Sequence, residues 1–112
     1  PTEITPSTPS SWEDVDVSSY VPSGATGVIL HIVNNHLASG EHVGVRKNGS
    51  TDDRHSDFTP SAHFGAAIGV DTNRVFEAYV ESTTNIDIYL IGYTVSGVTF
   101  KTNADDKSLG TT

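Results

Sequence analysis

Between Trp12 and Phe100 apolar and polar residues alternate in short runs, each closed by Gly, Pro, Asn-Gly or Asp, and no three-to-four spacing persists. This punctuation constrains the fold more than any single motif. Residues two apart share one face of a strand, whereas a helix needs a longer, differently spaced apolar stripe. WEDVDV (residues 12–17) sets Val15 and Val17 against Asp14 and Asp16, the pattern of a half-buried strand. VILHIV (28–33) is apolar on both faces apart from His31 and predicts a central strand. AHFGAAIG (62–69) carries small side chains where another backbone could come close. VFEAYV (75–80) and IDIYLIGY (86–93) are rich in β-branched and aromatic residues. HVGVRK (42–47) runs into Asn48-Gly49, a strong two-residue hairpin signal that predicts a return strand over 50–55. VTF (98–100) predicts a final strand. Seven to eight strands without a helix predict an all-β fold, a single β-sandwich of jelly-roll-like type. The immunoglobulin alternative lacks its Cys…Trp…Cys spacing, because the chain has no Cys.

The ends differ from the middle. Residues 1–11 read PTEITPSTPSS, with Ile4 the only apolar side chain outside proline. They predict an extended Pro/Thr/Ser arm ahead of a domain spanning 12–112, within which 97–112 is a candidate exchanged or linking strand. Such an arm can couple to a neighbour by lying along an exposed sheet edge. Pro6 and Pro9 each lack an N–H, and their three-residue spacing puts the gaps on opposite edges, so pairing is confined to residues 2–5. Stretched out, the arm reaches roughly 36 Å, against roughly 30 Å across a domain of this size. Thr2, Glu3, Ile4 and Thr5 are therefore candidate subunit-interface residues. Val98 and Phe100 join them, since they project to one face of GVTFKT (97–102) and could fill a neighbour's groove.

Six basic residues against fourteen acidic give a net charge of -8. A nucleic-acid or anionic-membrane partner needs a basic face, so neither is expected. VILHIV is far shorter than a membrane span, which predicts no insertion. The absence of Cys removes disulfides, thiol catalysis and thiolate metal sites together. The sequence opens at Pro1 and contains no Met, so removal of an upstream segment is expected, with a cleaved secretion signal favoured over a cloning boundary. The Pro/Thr/Ser arm points the same way, being similar in composition to O-glycosylated stalks. These features lead us to expect an extracellular protein of a cell or virion surface. Candidate glycan acceptors are Asn48, in the sequon NGS, and Thr2, Thr5, Ser7 and Thr8 of the arm.

Chemistry is not announced. His31, His36, His42, His55 and His63 show neither i, i+2 nor i, i+4 spacing, and no Asp-x-Asp-x-Asp-Gly loop is present, so no metal and no cofactor is expected. A nucleophile elbow, a phosphate loop and a zinc helix are all absent, so enzymatic activity is not expected either. Trp12 and Tyr20 fall at segment ends, where exposed rings could form an aromatic platform. They define the alternative, a carbohydrate-binding or adhesin module.

WEDVDVSSYVPSGATGVIL (12–30), GVRKNGS (44–50), VFEAYV (75–80) and IYLIGY (88–93) together resemble a β-sandwich module of large microbial and phage surface and fibre proteins. VTFKTNADDKSL (98–109) resembles the joint leading from one such module into the Trp strand of the next. The resemblance covers roughly residues 12–109. It carries no catalytic residues and implies repetition. For a single module it implies head-to-tail assembly, similar to extracellular filament subunits that exchange terminal strands; such a contact, when it does not close, makes a fibre. The expected function is thus a structural subunit of a homopolymer, its partners being copies of itself.

Overall fold

The computed structural model describes residues 2–104. Among them the chain is all-β, with eight strands and no helix: β1 (Thr2–Glu3), β2 (Trp12–Asp16), β3 (Gly27–Asn34), β4 (Glu41–Lys47), β5 (Ser56–Phe58), β6 (His63–Gly69), β7 (Val75–Val80) and β8 (Ile86–Thr94). They form two four-stranded sheets, β1-β8-β3-β6 and β2-β7-β4-β5, in which every pairing is antiparallel. First pairs with eighth, second with seventh, third with sixth and fourth with fifth. The chain is thus one long nested hairpin, folded so that its two sheets stack as a β-sandwich.

Alternation does the stacking. Val28, Leu30 and Ile32 of β3 and Ile86, Ile88 and Leu90 of β8 point inward from one sheet, and Val43, Phe76, Ala78 and Val80 face them from the other. Phe76, Leu30, Ile32, Ile86 and Ile88 are completely enclosed. At about 1.5–3 kcal/mol for each large apolar side chain fully buried, this interior carries the stability of a chain with no cross-links. One buried polar group is held tightly. Asn34 Nδ2 donates to the carbonyls of Ser39, Phe58 and Thr59 at 3.2, 3.0 and 3.2 Å, and its Oδ1 accepts from His36 N at 3.0 Å. That amide ties the end of β3 in one sheet to the end of β5 in the other.

Two expectations about local structure meet a different arrangement. Asn48-Gly49 does turn, with Gly49 at φ 89° and Ser50 N donating to Lys47 O at 3.0 Å. The return over residues 50–55 does not pair; instead β5 rejoins β4 with His42 opposite Asp57. Other partners take the loop's polar groups. Asn103 Oδ1 accepts from Ser50 Oγ and Thr51 N, both at 2.8 Å, and Arg46 Nη1 donates to Asp52 O at 2.6 Å. The segment 98–100 is likewise not a strand, because Phe100 packs on the bare backbones of Gly27 and Gly69. A Cβ at either glycine would come within 2.4 or 2.5 Å of Phe100. The remainder of the expected linking strand, residues 105–112, lies outside the described residues. The first segment of the arm forms β1, a strand of its own chain's sheet.

Phe76→Ala should lower unfolding free energy by about 3–5 kcal/mol, since a large ring is removed from a site enclosed on all sides. Urea denaturation checks it: the midpoint should fall while the slope stays unchanged.

Candidate functional site

The arm's seat is the rim of the β1-β8-β3-β6 sheet. Thr2 and Glu3 stand opposite Leu90 and Tyr89, Ile4 N donates to Ile88 O at 2.8 Å, and Thr5 Oγ1 accepts from Ile88 N at 3.0 Å. Ile4 drops its side chain into the core. Pro6 is buried as well, and past it the contacts thin out. Residues 7–11 are exposed, tied by Thr8 N to Glu13 Oε2 at 3.3 Å and Ser10 N to Val80 O at 2.7 Å. A groove of about 290 Å³ runs between residues 3–7 and β2, with Tyr20 on its wall. Beyond Leu90, Ile91 falls at a register shift in the β3–β8 ladder, and residues 92–94 of β8 have ladder partners on the β3 side alone among the described residues. Ile91 and Tyr93 are exposed large side chains on this stretch, and Ile29 of β3, opposite Gly92, is exposed beside them.

Of the other interface candidates, Phe100 is engaged by its own chain at Gly27 and Gly69, and Val98 is exposed. Among the glycan candidates, Asn48 Nδ2 donates to Asp71 Oδ2 at 2.7 Å, a bond that a sugar on that nitrogen would have to displace. The Thr5 hydroxyl donates to Glu3 Oε2 as well as accepting from Ile88 N, and Thr2 is half-buried. Ser7 and Thr8 face solvent.

Trp12 and Tyr20 do not form a joint platform. Trp12 lies on the outer face of the β2-β7-β4-β5 sheet, with the Arg46 guanidinium 4.1 Å above its ring centroid and Tyr79 at 5.7 Å. Its Nε1 donates to Asp53 Oδ1 at 2.9 Å. Arg46 is in turn ion-paired with Glu77. Tyr20, exposed, belongs to the arm groove instead. The loop 51–55 folds over Gly44, where a Cβ would lie 2.6 Å from Arg54 O and 2.8 Å from Trp12 Cη2.

That same face gathers residues which spacing along the chain left apart. His55 stacks on Tyr79 with ring centroids 3.9 Å apart and planes 6° from parallel. His55 Nδ1 lies 3.0 Å from His42 Nδ1, and His42 Nε2 lies 3.7 Å from Asp57 Oδ1. Glu81 accepts from His42 N at 2.7 Å. His42, Asp57 and Glu81 are the group with metal-ligand geometry among the described residues. The signal that finds them is the β4–β5 register, which brings Asp57 opposite His42 and which a tight hairpin misplaces by two residues. On the other sheet His31 Nε2 and His63 Nδ1 meet at 3.1 Å across β3 and β6.

Two ionisable groups elsewhere on the sheets are shifted by their neighbours. Ser18 N donates to Asp16 Oδ1 at 2.9 Å and, with the Ser18 hydroxyl, holds the carboxyl below its usual 3.8. Tyr89 is raised above 10.0 chiefly by the Asp87 carboxylate, then by partial burial and by Glu3 of the arm. The fold therefore favours the neutral phenol. Its contribution is fully present below the unfolded value and is lost as pH rises through the folded one.

No protein-family model matches the chain, and neither a curated protein nor a solved structure matches it.

Two outcomes are expected. In a 295 nm titration, the component lost in Tyr89→Phe should move to lower pH in Asp87→Asn. Gly44→Ala should cost about 1–3 kcal/mol by overpacking. The same variant should shift the emission of Trp12, the chain's one tryptophan, to longer wavelength as the 51–55 loop lifts away.

Proposed function

We propose that this protein is a structural subunit of an extracellular filament or fibre, assembling head to tail by laying residues 2–5 on β8 of the neighbouring copy. The supporting observation is the way that segment sits at home. It is a two-residue rim strand followed by two buried side chains, Ile4 and Pro6, and joined to the domain by a thinly held crossing over residues 7–11. Burying one isoleucine contributes about 1.5–3 kcal/mol, and each rim hydrogen bond about 0.5–1.5 kcal/mol. Release in one copy and capture by the next exchanges identical contacts, so the balance is close to neutral and concentration drives polymerisation.

The nested pairing of the eight strands is, in this reading, a jelly roll whose first strand is the movable one. The rest of the β8 rim, residues 91–94, offers backbone groups and the exposed Ile91 and Tyr93 to extend the contact. Ser7 and Thr8 are the hydroxyls best placed for O-linked sugars, since they face solvent on the crossing. An acidic surface keeps copies apart until the strand contact forms.

The chain has no Cys, so a Glu3→Cys/Tyr89→Cys pair tests the exchange directly. Opposed Cα atoms in an antiparallel ladder are about 4.5–5.5 Å apart, within disulfide range. Oxidation of concentrated protein should give a covalent ladder on a denaturing gel, and electron microscopy should show filaments that Ile4→Asp removes. A bond formed only within single chains at every concentration, with no filaments, rejects the proposal.

A further inference from the structure

We propose that the outer face of the β2-β7-β4-β5 sheet holds a divalent transition-metal ion of the zinc class, bound by His42 Nε2 and the carboxylates of Asp57 and Glu81. The three ligand atoms come from β4, from β5 and from the residue after β7, and all lie within 4.8 Å of one another. A four-coordinate ion with bonds of about 2.0–2.2 Å needs ligand atoms roughly 3.4 Å apart. His42 Nε2 and Asp57 Oδ1 are already at 3.7 Å, and both acidic side chains are exposed and can close the remainder. Glu81 is half-positioned in advance, because its carboxylate accepts from the His42 backbone N–H.

The hydrogen-bond network assigns the imidazole its metal-binding form. Asp53 Oδ1 accepts the Trp12 indole N–H and faces His55 Nε2 at 3.5 Å. A carboxylate has no proton to give, so in neutral His55 the hydrogen belongs on Nε2. His55 Nδ1 is then an acceptor, and the bond at 3.0 Å requires His42 Nδ1 to carry the hydrogen. This leaves a bare lone pair on His42 Nε2, aimed at two carboxylates. The repulsion between that lone pair and the anions is relieved by a cation among them, either a proton on Nε2 or a metal ion that displaces it. A histidine that binds through one nitrogen while the other donates to a fixed acceptor is the usual arrangement at such ions. Here the acceptor ring is itself held by its stack on Tyr79. One imidazole with two carboxylates suits zinc and its neighbours better than calcium, which prefers oxygen alone.

Calorimetric titration of the chelator-treated full chain with zinc chloride is the test. One equivalent should bind, and cobalt(II) should give the visible absorption of a four-coordinate site. His42→Gln, Asp57→Asn and Glu81→Gln should each weaken zinc at least tenfold. His55→Gln should keep the one-to-one stoichiometry with affinity lowered about 10- to 100-fold, as expected for a positioning residue. A double His31→Gln/His63→Gln variant controls for the other histidine pair and should bind as the parent does. No heat with the parent chain, binding that survives all three ligand substitutions, or binding abolished by the double variant each overturns the assignment.

Discussion

Everything in this molecule depends on two inner sheet faces being pressed together without any covalent help. There is no disulfide to limit the unfolded chain, so the alternation that sends Leu30, Ile32, Phe76, Ile86 and Ile88 inward has to supply the stability alone. β8 is the hinge of this arrangement. It pairs with β3 on one edge and with the short β1 on the other, so a strand that sends Ile86, Ile88 and Leu90 into the core is also the one that carries the two-residue neighbour.

The two faces of the sandwich are used differently. Inside, side chains are interchangeable hydrophobes whose volume matters most. Outside, on the β2-β7-β4-β5 sheet, specific contacts prevail: Arg46 over Trp12, His55 on Tyr79, and the loop 51–55 laid across a glycine with no room for a methyl group. A ribbon of polar and aromatic groups this well ordered at a surface loses little conformational entropy when it binds something, which is why the ion proposal is placed there.

Most of the strand content was legible because it depends on period two. The runs at 12–17, 28–33, 42–47, 62–69, 75–80 and 86–93 fold within a residue or two of where alternation placed them. What failed was everything set by partners distant in sequence. Asn48-Gly49 makes its turn, but Asn103, some fifty residues away, draws Ser50 and Thr51 out of the ladder while the nearby Arg46 takes the carbonyl of Asp52, and the first competitor is invisible in the local pattern. Because the resulting slip is two residues, faces are preserved while opposite numbers change. His42 therefore meets Asp57, and no inspection of histidine spacing along one strand could have revealed it. Trp12 looked available because it opens a strand; its cover comes from Arg46 on another. The arm's pairing segment was legible from its prolines, whereas the identity of its partner strand was not, since an edge accepts any backbone in register.

Asn34 illustrates how a chain without thiols closes a long excursion. Its single amide joins residue 34 to the carbonyl of Phe58, 24 positions away, and gathers Ser39 and Thr59 in the same grip. Functionally it is a staple made of hydrogen bonds, so its strength answers to different reagents from those that attack sulfur. Dithiothreitol leaves it intact, whereas urea, which competes directly for amides and carbonyls, works on that corner and on the sheet ladders at once. The corner and the ladders are for that reason bound to let go together.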